Sequence, residues 1–228
     1  MDMIGIDEAR NLVADAALWP RIRDFLWDFA PQVHGSWLED LERETLDERR
    51  ENETVMSHVS RLMSSPRVKR FVLDSLGVEP CFHAFPKNDW SRLLLLDGAT
   101  LESIVKWLGA ISCAESLRRV TDGKVVRELK VAFPGVYPDV LGYTMYFKDV
   151  AAKNAEDAKS VIVAGLDILR EIVADLDFAL KSRLKLKLPK DFCALCDLCG
   201  KEEAESVESS VVAKLLKLKF PEGYSLCC

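Results

Sequence analysis

The chain has 228 residues and a mass of 25.7 kDa, with 31 basic and 37 acidic side chains and a formal net charge of −6. This length allows one domain or two small ones, and a composition of 49% hydrophobic and 30% charged residues excludes disorder and collagen-like repeats. The longest run without a charged residue is 29–38, far shorter than the roughly 20 apolar residues that span a membrane. Because the N-terminus also lacks the basic-then-apolar layout of a secretory signal, the sequence predicts a soluble, cytosolic protein.

The first quarter of the chain is acidic and has the signals of helices. Residues 1–65 carry 7 basic and 14 acidic side chains, so the negative charge is concentrated there. N-cap residues, proline in first turns and a capping-box spacing at Ser36 and Glu39 mark the predicted helix starts. Residues 1–77 are therefore predicted to form an acidic helical region, with helices at 7–19, 20–30, 36–63 and 66–77.

The predicted helix 36–63 is highly charged and has only a thin apolar stripe. Between Glu39 and Glu53, six glutamates and two aspartates face three arginines. Such a helix is either solvated on most sides or meets a partner of opposite charge. We expect it to form part of a docking surface that binds a basic partner through Glu42, Glu44 and Glu48; a merely solvated helix is the alternative.

Residues 78–88 contain two prolines and are predicted to be a loop at a region boundary. Before this loop, Gly77 is expected to close a helix with a positive φ angle. Residues 88–228 are predicted to form a helical scaffold, which is either separate from the N-terminal region or continuous with it. Its helices are predicted at 89–96, 100–112, 114–120, 122–133, 138–149 and 154–182. The expected core contains Leu93, Leu94, Leu101, Ile104, Trp107, Leu108, Leu169, Ile172, Val173 and Leu176.

Near the C-terminus the hydrophobic period changes from helical to alternating. In 183–189 and in 216–221, leucine or phenylalanine alternates with lysine or arginine, and both segments end in proline. Alternation places apolar side chains on one face of a strand and cations such as Arg183, Lys185 and Lys187 on the other. The predicted fold class is therefore mainly α: a compact multi-helix domain with one small C-terminal β-hairpin or sheet.

The sharpest chemical motif is a cysteine cluster in the predicted hairpin insertion. Cys193, Cys196 and Cys199 are spaced so that their thiolates could converge on a soft metal ion or a cluster. A fourth ligand would have to come from the terminal pair Cys227-Cys228. The alternative, which we favour, is a cysteine-rich insertion without metal, so no metal or other cofactor is expected.

The sequence offers no catalytic constellation. Only three histidines are present, and the chain contains no nucleophile-elbow, phosphate-loop or dinucleotide fingerprint. The basic strand faces are narrow and belong to an acidic protein, which speaks against nucleic acid as a partner. We predict that the protein is not an enzyme.

The middle of the chain resembles a known family. The segment from Asp89-Trp90-Ser91-Arg92-Leu93 to Leu96-Asp97, the helix from Leu101 to Trp107-Leu108-Gly109-Ala110, and Leu117-Arg118-Arg119-Val120 are similar to the SctK (YscK-type) proteins of bacterial type III secretion systems. The alternating segment Leu184–Pro189 also resembles a basic, leucine-rich segment of that family. The resemblance covers about residues 88–189.

This resemblance implies a role in protein transport without chemistry. Family members are adaptors of the cytoplasmic sorting platform, which connect the cytoplasmic domain of the inner-membrane ring protein to the pod protein. The expected location is therefore cytoplasmic, peripheral to the inner membrane through protein–protein interaction and without direct membrane insertion. A metal-binding or redox protein built on Cys193, Cys196 and Cys199 is the alternative.

Overall fold

The computed structural model describes residues 18–46, 63–78, 89–143, 147, 154–195 and 209–227. These residues are mainly helical, and none of them lies in a β-strand. The mainly α part of the predicted fold class is thus confirmed. The predicted helix at 7–19 falls almost wholly outside the described residues, as does the predicted loop at 79–88, so that domain boundary stays a prediction.

The N-terminal helices begin and end where the sequence places proline and glycine. Pro20 lies in the first turn of α1 and Pro66 in the first turn of α3, where the missing N–H of proline has no helical partner to lose. Gly77 follows α3 with φ +68°, as predicted. The elements are α1 (Trp19–Trp27), a 3₁₀ turn (Ala30–Gln32), α2 (Gly35–Leu46) and α3 (Pro66–Ser75).

The middle of the chain is a series of short helices. Asp122 caps one of them by accepting a hydrogen bond from the Lys124 amide at 2.7 Å. The Pro134-Gly135 turn ends the same helix, and Gly135 has φ +78°. The elements are a 3₁₀ segment (Asp89–Leu95), α4 (Gly98–Ser112), α5 (Ala114–Arg119), α6 (Gly123–Ala132) and α7 (Val136–Tyr143).

The C-terminal third differs from the prediction in two places. The single helix expected at 154–182 is two helices, because the first ends at Ile172 and the Asp177 carboxylate caps a second by accepting from the Leu180 amide at 2.8 Å. The predicted β-hairpin is wrong, since both alternating segments are helical. The elements are α8 (Ala158–Ile172), α9 (Phe178–Lys187), α10 (Lys190–Leu195), α11 (Ser209–Lys219) and α12 (Pro221–Cys227).

The predicted strand at 183–189 is helical as far as Lys187, and all of its buried residues except Leu186 follow Leu180 at spacings of three or four. Leu180, Leu184 and Leu188 are buried, and so are Arg183 and Lys187. This spacing forms one face of a helix, whereas alternation alone would have put both cations in solvent. The expectation of a solvated basic sheet face is therefore wrong for Arg183 and Lys187.

The chain divides into two compact units. The first comprises Met1–Gly98 and Leu176–Lys190, and the second comprises Ala99–Asp175 and Asp191–Cys228. The predicted core residues are buried in these units with one exception, Ile172, which is half-buried. The side chains confirmed as buried are Leu93, Leu94, Leu101, Ile104, Trp107, Leu108, Leu169, Val173 and Leu176.

In the second unit, α4 and α8 cross at unusually close range. A Cβ built on Gly109 would lie 1.9 Å from the carbonyl oxygen of Val161, and one built on Gly165 would lie 2.0 Å from that of Val105. Because real Cβ atoms do not approach backbone oxygens so closely, only glycine at both positions permits this crossing.

Candidate docking helix and its anchor

The start of α2, the candidate docking helix, is hydrogen-bonded to the last turn of α9 and to the residues that follow it. The His34 amide donates to the Leu186 carbonyl at 2.8 Å, and the Trp37 Nε1–H donates to the Leu188 carbonyl at 3.0 Å. The Lys190 amide donates to the Ser36 hydroxyl at 2.9 Å. These three bonds, all within the first unit, join parts of the chain about 150 residues apart; we call residues 34–37 and 186–190 the anchor.

Ser36 has a different role from the one that its sequence spacing predicts. Because α2 begins at Gly35, Ser36 lies inside the first turn, and its hydroxyl bonds the Lys190 amide and His34 Nδ1. His34 Nδ1 also lies 3.2 Å from the Ser36 amide nitrogen, which donates to it. The serine therefore ties α2 to the following segment of the first unit.

Two cations also lie within cation–π distance of the Trp37 ring. The Nζ atoms of Lys185 and Lys190 are 5.9 and 5.8 Å from the ring centroid. Such cation–π contacts each contribute about 0.5–1 kcal/mol at exposed sites. Together with the Nε1 bond, they fix the orientation of the half-buried indole and hence of the first turn of α2.

The apolar side of α2 packs within the protein. Leu38 and Leu41 contact a buried cluster formed by Ala30, Met63 and Val72. The thin stripe that the sequence offers for a partner is therefore occupied, at these positions, by the first unit itself. The described part of α2 therefore offers a partner polar residues, such as the exposed Glu39.

The three glutamates predicted to bind a partner are described only in part. Glu42 and Glu44 lie on the backbone of α2, but their side chains fall outside the described part of the chain. Glu48 lies outside the described residues altogether. Their role in binding remains a prediction.

The cysteine cluster is likewise described only at its first member. Cys193 lies half-buried on α10, and Cys196 and Cys199 lie outside the described residues. Over the ranges given above, no three His, Cys, Asp or Glu side chains are grouped so as to hold a metal ion. The hairpin that was to return Cys227 to the cluster is absent from the described part, where Cys227 ends the helix α12.

Sequence reasoning missed a buried lysine next to the anchor. The Lys187 side chain is 1% exposed, and its Nζ donates to the carbonyls of Leu94 at 2.7 Å and Leu96 at 2.6 Å. Burial lowers the pKa of Lys187 from its ordinary value of 10.5 to about 7, and the nearby Asp97 carboxylate acts in the opposite direction. The available signal was the helical spacing of 180, 183, 184, 187 and 188, which places Lys187 on the buried stripe.

In the described residues, no helix is both long enough and apolar enough to cross a membrane.

Comparison with known proteins connects this segment to a protein family. Residues 33–136, just under half of the chain, match the family model described as YOP proteins translocation protein K (YscK). The match starts one residue before the anchor at His34 and extends through α6 to the first residue of α7. Comparison with curated proteins and with solved structures gives no match.

Proposed function

Because the chain belongs to the YscK family of type III secretion proteins, we propose that it is a non-enzymatic adaptor of the secretion apparatus. In this role it links the cytoplasmic domain of the inner-membrane ring protein to the pod protein of the sorting platform. It is held at the inner membrane through these protein contacts and works in the cytoplasm. The single observation that carries the proposal is the family match over residues 33–136.

Within this proposal α2 is the docking helix, and the anchor supports that role. A docking helix binds more tightly when its orientation is fixed before the partner arrives, because less conformational entropy is lost on association. Three hydrogen bonds and two cation–π contacts fix the first turn of α2 in the first unit. We infer that the anchor presents the acidic part of this helix to a basic surface on the ring or pod protein.

The charge of this region indicates how binding depends on salt. The excess of glutamate over arginine between Glu39 and Glu53 makes this stretch of the sequence strongly negative. Charges at an interface rim mainly raise association rates, and salt screens them over about 8–10 Å at physiological ionic strength. Binding through this region should therefore weaken as salt increases.

The test is to measure binding of the full chain to the purified ring domain and pod protein by biolayer interferometry at low and at physiological salt. The variant E42K/E44K/E48K should lower the affinity for at least one partner by about tenfold, mainly through slower association, and should flatten the salt dependence. The control variant E156K/D175K/E222K changes the net charge equally at three exposed positions and should bind like the wild type.

Two results would contradict the proposal at different levels. If the wild-type chain binds neither protein, the adaptor function is wrong. If it binds both, and E42K/E44K/E48K changes neither affinity nor salt dependence, the adaptor function stands and this acidic segment is not the docking surface.

A further inference from the structure

A second exposed surface with the opposite charge lies on α6, in the second unit. On the inner side of this helix Leu129 is buried, and α6 packs against α7 and α8. On the outer side, Lys124, Arg127, Glu128, Lys130 and Val131 are all exposed. We call these five residues the outer face of α6.

The cations of this face have no acidic partner in the described part of the chain, unlike some cations on other helices. On α4, for example, Lys106 pairs with Glu102 four residues earlier at 2.7 Å. Within the described part of the chain, Lys124, Arg127 and Lys130 form no ion pair. Among the described residues, the charged group of Arg127 makes one hydrogen bond, from Nε to the Gly123 carbonyl at 3.1 Å, and a neutral carbonyl does not compensate its charge.

Glu128 does not neutralise the face. It follows Lys124 by four residues, but with lysine on the N-terminal side, which is the less favourable order for a helical ion pair. The structure shows no bond between their charged groups. The outer face of α6 thus carries three cations and one carboxylate.

An exposed apolar side chain, Val131, lies at the C-terminal end of this row of charges. Val131 is 82% exposed, the highest value among the large hydrophobic side chains that the structure describes as exposed. On a helix, residues 124, 127, 128 and 131 share one stripe, so Val131 lies beside Arg127 and above Lys124. An exposed apolar side chain next to charged groups is a combination found in protein-binding patches.

We propose that the outer face of α6 binds an acidic, amphipathic segment of a partner protein, with an aliphatic side chain of that segment covering Val131 and its carboxylates facing Lys124, Arg127 and Lys130. Nucleic acid fits this face less well, because the face has no aromatic side chain on which a base could stack and the chain as a whole carries a net charge of −6. The proposal goes beyond the adaptor role of α2, since it concerns a different unit, a partner of opposite charge and residues that α2 does not share.

The experiment uses the full chain and a fluorescein-labelled helical peptide in which leucines at helical spacing are surrounded by glutamates. Binding is measured by fluorescence anisotropy at low and at physiological salt. The wild type should bind this peptide, and K124E/R127E/K130E should weaken binding about tenfold or more and remove the salt dependence. V131S should weaken binding severalfold and leave the salt dependence unchanged, because it removes only the apolar contact.

Controls separate this face from general charge effects. R21E/R67E/K214E changes the net charge equally at exposed positions outside α6 and should bind the peptide like the wild type. Circular dichroism checks that each variant is folded, and V131S tests the same face if the triple variant does not fold.

Three outcomes would overturn the proposal. The first is a peptide affinity that is the same for the wild type, the triple variant and V131S. The second is no binding of the peptide by the wild type. The third is that the triple variant loses binding to single-stranded DNA, or to vesicles of phosphatidylglycerol and phosphatidylcholine, while the acidic peptide is bound equally by both proteins.

Discussion

Replacement of Lys187 by methionine should change how the stability of the protein depends on pH. The Lys187 Nζ lies 5.2 Å from the centroid of the Phe25 ring and donates to two backbone carbonyls, those of Leu94 and Leu96. A neutral amine keeps two N–H donors, so both carbonyls stay hydrogen-bonded when the proton is lost. Deprotonation therefore removes the cost of a buried charge and keeps both bonds.

The direction of the change in stability with pH follows from whether the folded or the unfolded state holds the Lys187 proton more tightly. In the unfolded chain Lys187 keeps its proton up to its ordinary pKa of 10.5, whereas in the folded protein burial lowers its pKa to about 7. Between these values the unfolded state binds more protons, so the free energy of unfolding rises with pH. The largest slope is about 1.4 kcal/mol per pH unit, which gives roughly 2–3 kcal/mol between pH 7.5 and pH 9.5.

The measurement is urea unfolding, followed by circular dichroism at constant ionic strength, for the wild type and K187M at these two pH values. The difference in free energy of unfolding between the two proteins should increase with pH in favour of the wild type, because the other titrating groups are common to both. K124M removes an exposed lysine and should show no such change. A difference between wild type and K187M that stays constant or shrinks as the pH rises would show that Lys187 is not a desolvated amine in the folded protein.

Three further changes test the packing. Gly109→Ala should destabilise the protein by about 1–3 kcal/mol, because its Cβ would lie 1.9 Å from a carbonyl oxygen of α8. Gly142→Ala is the control, because a Cβ there would have nothing within 4 Å. Equal urea midpoints for the two variants would contradict the close crossing. Trp37→Phe should cost about 1–2 kcal/mol by leaving the buried Leu188 carbonyl without its 3.0 Å donor, and an unchanged melting temperature would show that this bond is not needed. Asp157→Ala should cost about 1 kcal/mol by removing the N-cap of α8, whereas Asp157→Asn should recover most of the loss in the same thermal melt.

Local signals in the sequence were sufficient for most of the helices. Pro66, the Asp122 cap and the glycines at 77 and 135 act within one turn of the backbone, so the elements that they start or end appear close to the predicted positions. The apolar periodicity of α4 likewise identified a buried face, which depends on composition and spacing within a single helix.

Non-local contacts decided the anchor of the candidate site. The sequence identified the helix that begins near Ser36 and its acidic character, but it could not show that this turn bonds to residues 186–190. Contacts between segments about 150 residues apart leave no periodic trace in either segment. For the same reason the sequence predicts a capping box at Ser36, whereas in the structure its hydroxyl accepts a hydrogen bond from the Lys190 amide.

Helix α9 (Phe178–Lys187) shows most clearly where the sequence alone was ambiguous between helix and strand. Leu184, Leu186 and Leu188 satisfy a period of two, which predicts a strand. Two of them, Leu184 and Leu188, also form a helical stripe with Leu180, and this stripe includes Arg183 and Lys187. A cation on a buried stripe is unfavourable unless it has partners, so the strand was the natural prediction. The tertiary structure supplies those partners, since the Leu94 and Leu96 carbonyls accept from Lys187, and the Phe29 ring lies 5.8 Å from the Arg183 guanidinium. The sequence by itself therefore determined the positions of most helices, and only the tertiary structure decided between helix and strand in this segment, because the groups that make burial of its charges possible come from distant parts of the chain.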